Sequence, residues 1–298
     1  MLISENWPNI LLPGLRKVFV NQFREFTSNL PALFSMQTSD KAQEFDVDDD
    51  EFLDFAPMTG TIPMDDMKEG YKTTYTHQEL ARGFKVNRAL VMDDQYGVIN
   101  RKPAMLSLSA RRRREKDGAS IFNNAFNAGY TGGDGVSLCN ASHPSRQDAA
   151  FLQSNTSTLP LTPANVETNR RRMSAFRSGR NGIIDVTMDT ILVPIELEEK
   201  GFEIIKTAGK VDTAQNNVNF HQGRYKMIVW KNFLTSSTAW FSMDSGYMKQ
   251  FLLWFDREPV QFFRDQDFST LVASYAGYMR NSQGWSGWRW IYGNNSAS

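Results

Sequence analysis

A single cysteine, Cys139, stands in 298 residues, so no intrachain disulfide can frame the fold and its stability must come from packing. Histidine is nearly as scarce, with only His77, His143 and His221. Cys139 and His143 are four positions apart, but zinc would need two further ligands, and the segment reads as a loop instead of a metal half-site. No window holds the ~20 apolar residues needed to span a bilayer, and the opening MLISENWPNILLPGL has neither the basic start nor the apolar core of a secretory signal. A protein without membrane association, made in the cytoplasm, is expected. An excess of either charge is missing too. The 33 basic and 33 acidic residues cancel, so net charge predicts neither a nucleic-acid binder nor a membrane-surface protein.

What is abundant is core material: 41% hydrophobic residues, including 21 Phe, 9 Tyr and 7 Trp, is enough for a large buried interior and for interfaces. The stretch NRKPAMLSLSARRRREKDGASIFNNAFNAG, residues 100–129, predicts one long helix over 101–128. Asn100 can cap it, Pro103 is tolerated in the first turn and Gly129 is a stop signal. Its length would be about 40 Å at 1.5 Å per residue. Apolar residues mark both ends, while Arg111, Arg112, Arg113, Arg114, Glu115, Lys116 and Asp117 wrap charge around its middle. The pairs Arg111 to Glu115 and Arg113 to Asp117 have the weaker cation-first order, which points to partners beyond the helix.

Upstream, Leu15, Val18, Phe19, Phe23 and Phe26 fall near helical spacing, forming an amphipathic arm that packs on its own domain or on a neighbour. Residues 40–69 contain eleven acidic side chains against two lysines, a net charge of −9, and read as strand pieces with a long exposed loop. Asp46, Asp48 and Asp50 imitate the start of a calcium loop, but Glu51 and Pro57 occupy the positions where glycine and glutamate are required. Tyr71–Leu80 and Gly83–Met92 read as two strands or a hairpin, followed by a turn at VMDDQYGV. From Arg82 to Asp117 the balance is +6, opposite in sign to the acidic stretch.

After the helix, GYTGGDG lacks the ending of a phosphate loop and reads as a turn, and residues 145–163 read as a linker. Thr162-Pro163 opens a helix to Arg177, Thr190–Val193 is a strand, and Pro194 starts a helix through Lys206. Shorter strands follow to the end of the chain. This mixture lacks a regular βαβ rhythm, so the fold class is α+β. Catalytic signals are weak: Gly284-Trp285-Ser286-Gly287 misses the nucleophile-elbow pattern by one position, and Asp244-Ser245-Gly246 has no second matching loop. No catalytic residue, cofactor or metal is expected.

The order of these elements resembles the major capsid proteins of tailed bacteriophages with the Hong Kong 97-type fold, nearest to the Mu-like major head subunits. The resemblance rests on the arm, the extended loop, the VMDDQYGV turn, the helix ending IFNNAFNAG, LCNASHP at 138–144 and ILVPIELEEKGFEII at 191–205. It implies an N-terminal arm (1–40), an extended loop (41–82), a peripheral domain with a spine helix (83–161), an axial domain (162–263) and a return to the peripheral domain (264–298). It also implies self-assembly into hexamers and pentamers of an icosahedral shell around double-stranded DNA, assembled in the host bacterial cytoplasm. A separate scaffolding protein, a portal and a decoration protein would be its partners. On this reading Asp46, Asp48, Asp49, Asp50, Glu51, Asp54, Asp65 and Asp66 meet basic residues of a neighbouring subunit. Arg111, Arg112, Arg113, Arg114, Phe19 and Phe23 are further inter-subunit candidates, and Arg170, Arg171 and Arg172 would face the lumen and its DNA. The alternatives are an encapsulin-like compartment, a hydrolase using Asp244 or Ser286, and a DNA-binding protein using the arginine helix.

Overall fold

A computed structural model describes residues 7–25, 27–47, 54–58, 60–62, 64, 70–87, 89, 93, 98–148, 150–209, 218–267 and 272–296. The chain opens with α1 (Trp7–Glu25), a short α2 (Leu30–Leu33) and the strand β1 (Ser35–Thr38). A ribbon follows, made of β2 (Gln43–Val47) and β3 (Lys72–Thr76), which pair antiparallel with each other and, among the described residues, with no other strand. Then come β4 (Gln78–Asn87) and the long helix α3 (Val98–Asn123). The two-residue strands β5 (His143–Pro144), β6 (Leu152–Gln153) and β7 (Thr156–Ser157) lead to α4 (Pro163–Ser174). Next are β8 (Thr190–Val193), α5 (Glu198–Lys206), β9 (Lys226–Val229), β10 (Trp240–Met243) and α6 (Ser245–Phe251). Two long strands, β11 (Leu252–Asp267) and β12 (Val272–Trp285), precede β13 (Ile291–Asn294).

Two sheets organise these elements. One is four-stranded in the order β1-β11-β12-β4, with β1 parallel to β11 and the rest antiparallel. Along β12 burial alternates, with Ala273, Tyr275, Gly277 and Met279 turned inward, as a strand with one covered face requires. Beside it, Gly83 of β4 lies so close that an added Cβ would come within 2.6 Å of the Tyr275 carbonyl oxygen. The covered face meets α1 and α3: Leu15, Phe19, Val86, Ile99, Leu106, Phe262, Ala273 and Tyr275 form one core. The second sheet runs β7-β13-β10-β8-β9, and every residue of β8, β10 and β13 is buried. Its larger core includes Trp230, Trp240, Trp254 and Trp290, none more than 1% exposed, so the tryptophan content is spent mainly inside the chain.

Several expectations need correction. The long helix begins at Val98, so Asn100 lies inside it, and it stops at Asn123, before Gly129. The NAF segment after it turns because the Phe126 ring stacks on Phe241 at 5.7 Å and the Ala125 carbonyl accepts from the Cys139 N–H at 2.8 Å. Nor is the charged middle a solvated span. Glu115 and Asp117 are buried, as are Gly118 and Ala119 beside them. β3 and β4 do not form a hairpin; a one-residue gap at His77 hands the chain from the ribbon to the four-stranded sheet. The boundary at 263 falls inside β11, and β13 joins the sheet that holds β8 and β10, because its Ile291–Asn294 register pairs with Met243–Trp240. Most of VMDDQYGV lies outside the described residues.

Candidate assembly surfaces

The β2–β3 ribbon and the residues between its two strands carry most of the exposed apolar surface near the acidic stretch. Phe55, Met58, Ile62 and Met64 are 108%, 67%, 66% and 90% exposed. Large apolar side chains left in water on one loop are what a docking element presents. Phe45 is half covered by Lys72, whose ammonium sits 3.9 Å from the ring centroid. Asp46 pairs across the ribbon with Thr73, and Asp54 is exposed. Asp48, Asp49, Asp50, Glu51, Asp65 and Asp66 lie outside the described residues.

The arginine run divides its labour. Arg114 reaches Asp256 of β11 with two hydrogen bonds, 2.7 and 2.9 Å, and lies over the Trp254 ring. Arg113 donates to Asp117 at 2.9 Å, the weaker-ordered pair formed nonetheless. Arg111 is partly buried beside Glu115, and burial lowers its pKa from the usual arginine value. Glu115 accepts from the Trp230 indole at 2.8 Å and from the Ser28 hydroxyl, which pins the linker after α1 to the helix. Arg112 alone of the four is exposed without an ion pair among the described residues. Together with Arg111, Glu115, Lys231, Leu108, Val229 and Phe233 it lines a cleft of about 490 Å³. Arg111, Arg113 and Arg114 are therefore engaged within their own subunit.

Arg170, Arg171 and Arg172 also have partners at home. Arg170 and Arg171 both donate to Glu167, holding its carboxyl at about 2. Arg172 donates to the Tyr292 hydroxyl at 2.6 Å. Phe19, 1% exposed, packs 5.2 Å from Phe262, so its ring is covered by its own chain, and Phe23 is half-buried. The arm thus lies on its own domain along α1.

The candidate hydrolytic residues are structural. Asp244 caps α6, accepting from the Gly246 and Tyr247 N–H groups at 2.8 and 3.0 Å and from Thr187 N–H at 2.7 Å, so every donor is backbone. Ser286 is 6% exposed and its N–H is bonded to the Phe251 carbonyl. Sequence reasoning missed the cluster Asp134, His143 and Asn155, in which His143 Nδ1 is 2.7 Å from Asp134 and Nε2 is 3.0 Å from Asn155 Oδ1, under the Trp288 ring. The cysteine four residues before it is buried, its thiol pushed up by desolvation, and takes no part. No group of three metal-binding side chains occurs among the described residues. No helix among them is long and apolar enough to cross a membrane.

A long helix braced across a four-stranded sheet, a second mixed sheet and a projecting ribbon define a shell-forming subunit with the Hong Kong 97-type fold. The chain matches the model of the phage capsid protein family over residues 70–293 and belongs to that family. Its role is that of a major capsid protein, a structural component of the virion shell and not an enzyme. Solved structures share the fold at low identity. The decorated capsid of bacteriophage JBD30 matches with 12% identity and TM-score 0.58 over 72% of this chain and 94% of its own. The mature capsid of bacteriophage PhiM1 matches with 10% identity and TM-score 0.58, covering 92% and 88%. The capsid of a native GTA particle gives 12% and 0.58, covering 92% of both. No curated protein sequence matches.

Proposed function

We propose that copies of this chain assemble into the hexamers and pentamers of an icosahedral, tailed-phage head, with the ribbon loop of one subunit laid over the next. The observation that carries this reading is the loop itself: four large apolar side chains are each at least 66% exposed within a segment of net charge −9. Such a segment suits a surface that combines apolar side chains with cations, and the cleft lined by Arg112, Lys231, Leu108, Val229 and Phe233 offers both. A single exposed ion pair contributes only ~0–1 kcal/mol, but mixed-sign contacts fix register and repeat throughout a closed shell.

The finer assignment is to the Mu-like head subunits, with a separate scaffolding protein, a portal and packaged double-stranded DNA as partners. Decoration trimers sit on the JBD30 capsid, and a decoration protein is proposed here by that likeness. Non-specific contact with DNA falls to exposed arginines such as Arg171, 74% exposed at its side chain. Expressing the chain alone and with candidate scaffolding proteins, followed by sedimentation and negative-stain electron microscopy, tests the proposal. Closed shells or capsomers support it; a monodisperse monomer or dimer under every condition overturns it.

A further inference from the structure

The root of the ribbon is closed by one histidine. His77, 6% exposed, is the single residue between β3 and β4, where the chain leaves the ribbon for the four-stranded sheet. Its Nε2 lies 3.1 Å from the Ser39 hydroxyl, on the strand-side root of the loop, and its Nδ1 lies 3.0 Å from the Ser282 hydroxyl on β12. Both roots of the loop are thereby tied to the body through one ring.

The proton positions follow from the surrounding donors. Ser39 Oγ gives its proton to Glu44 Oε1 at 2.7 Å and accepts from the Lys41 N–H at 3.2 Å. His77 Nε2 must therefore be the N–H donor to Ser39, which leaves Nδ1 as the acceptor of the Ser282 proton. A proton added at Nδ1 reverses that last bond. Ser282, 4% exposed, must then turn its hydroxyl hydrogen away and find another acceptor.

We propose that His77 is an acid-sensitive latch, whose protonation at Nδ1 strips the buried Ser282 hydroxyl of its acceptor and so weakens the hold of β12 on the root of the β2–β3 ribbon. The charges that face it are unevenly matched. Arg257 of β11 donates to the Ser39 carbonyl at 3.4 Å, and Arg280 of β12 lies 3.9 Å from Glu79 of β4. Against these cations stands Glu44 of β2, itself engaged by Ser39 and Lys41. Burial first, then Arg280, hold the His77 imidazole below the ordinary histidine range, with Glu44 opposing and Arg257 adding to the effect. The neutral ring is the form the fold accepts, so the latch is closed above about pH 6.5 and opens as pH falls from there through the depressed value. The root is also held by the Tyr75 ring, which lies against Gly284 of β12 and 5.1 Å from Phe255, by Arg257 on the Ser39 carbonyl and by the Ser39 N–H bond to the Asp256 carbonyl. Protonation of His77 therefore loosens the ribbon root without unfolding the sheet.

The consequence for shells, an acid-dependent ribbon position, rests on the docking proposed above, whereas the latch does not. Hydrogen exchange read by mass spectrometry on the full chain separates the two, because it reports residues 39–47 and 72–80 whether or not shells form. After correction for intrinsic rates, exchange there should rise several-fold between about pH 7.5 and about pH 5, while β10 and β13 stay protected. In His77→Gln this pH dependence should vanish. Arg280→Gln should move the midpoint to higher pH and Glu44→Gln to lower pH, opposite shifts that a merely structural role would not produce. These two variants carry the test where His77→Gln fails to fold. An unchanged midpoint in both, or a pH dependence that survives in folded His77→Gln, overturns the proposal.

Discussion

Arg114 and Asp256, 142 residues apart, meet through two hydrogen bonds of 2.7 and 2.9 Å, with side chains only 12% and 22% exposed. The Trp254 indole donates to the same carboxylate at 2.9 Å. The pair locks α3 to the middle of β11 with a planar fork that lysine cannot reproduce. Replacing Arg114 by Met leaves Asp256 half-covered with its charge unmatched. A loss of about 2 kcal/mol is expected, below the figure for a fully buried pair. Urea unfolding of the subunit, with Arg114→Lys recovering only part of the loss, measures it.

Gly293 of β13 sits against Cys139 and Phe126. An added Cβ would come within 2.4 Å of Cys139 Sγ and 2.9 Å of the Phe126 ring. Gly293→Ala should therefore destabilise the subunit by roughly 1–3 kcal/mol through overpacking. Adding Cys139→Ala removes the nearer atom, and a double-mutant cycle should show that part of the loss is recovered. Additive losses would place the strain elsewhere.

Glu167 accepts from both Arg170 and Arg171, which hold its carboxyl at about 2 instead of 4.5. A folded-state pKa below the unfolded one contributes stability that is present above about pH 4.5 and lost as pH falls to about 2. The exposure of Arg171 reduces the size of this effect. Thermal melts of wild type should fall more steeply across that window than those of Glu167→Gln. Parallel curves would contradict the assignment.

Reversing Asp48, Asp49 and Asp50 to Lys takes the net charge of residues 40–69 from −9 to −3. The subunit should keep its circular dichroism and melting temperature yet fail to form shells in the sedimentation assay. Arg112→Glu, at the exposed arginine that has no ion pair among the described residues, should weaken assembly in the same direction. Normal shells from the triple variant would sink the docking proposal.

Much of the architecture could be read along the chain. Thr162 accepts from the Asn165 N–H as the cap of α4, the strand at Thr190–Val193 has the expected bounds, and the α+β class holds. These features depend on residues close in sequence, where capping chemistry and apolar runs act directly. The C-terminal end of α3 differs from the sequence expectation because Gly129, a good local stop signal, is pre-empted by the contacts of residues 125 and 126 with Cys139 and Phe241. The same limit applies to the charges. Nothing beside Arg114 in the chain announces Asp256, and His77 reads as one polar residue in a run of threonines until Ser39 and Ser282 are brought to its two nitrogens.

The sequence by itself determined that this is a disulfide-free, aromatic-rich α+β chain with one long charged helix, an acidic loop and the element order of a capsid subunit. Only the tertiary structure decided which arginines find partners within the chain, that the Phe19 ring is buried in its own chain, and that β13 belongs to the second sheet. The physical reason is range: propensity and capping act over a few residues, whereas ion pairing, ring packing and strand register are set by partners up to hundreds of residues away.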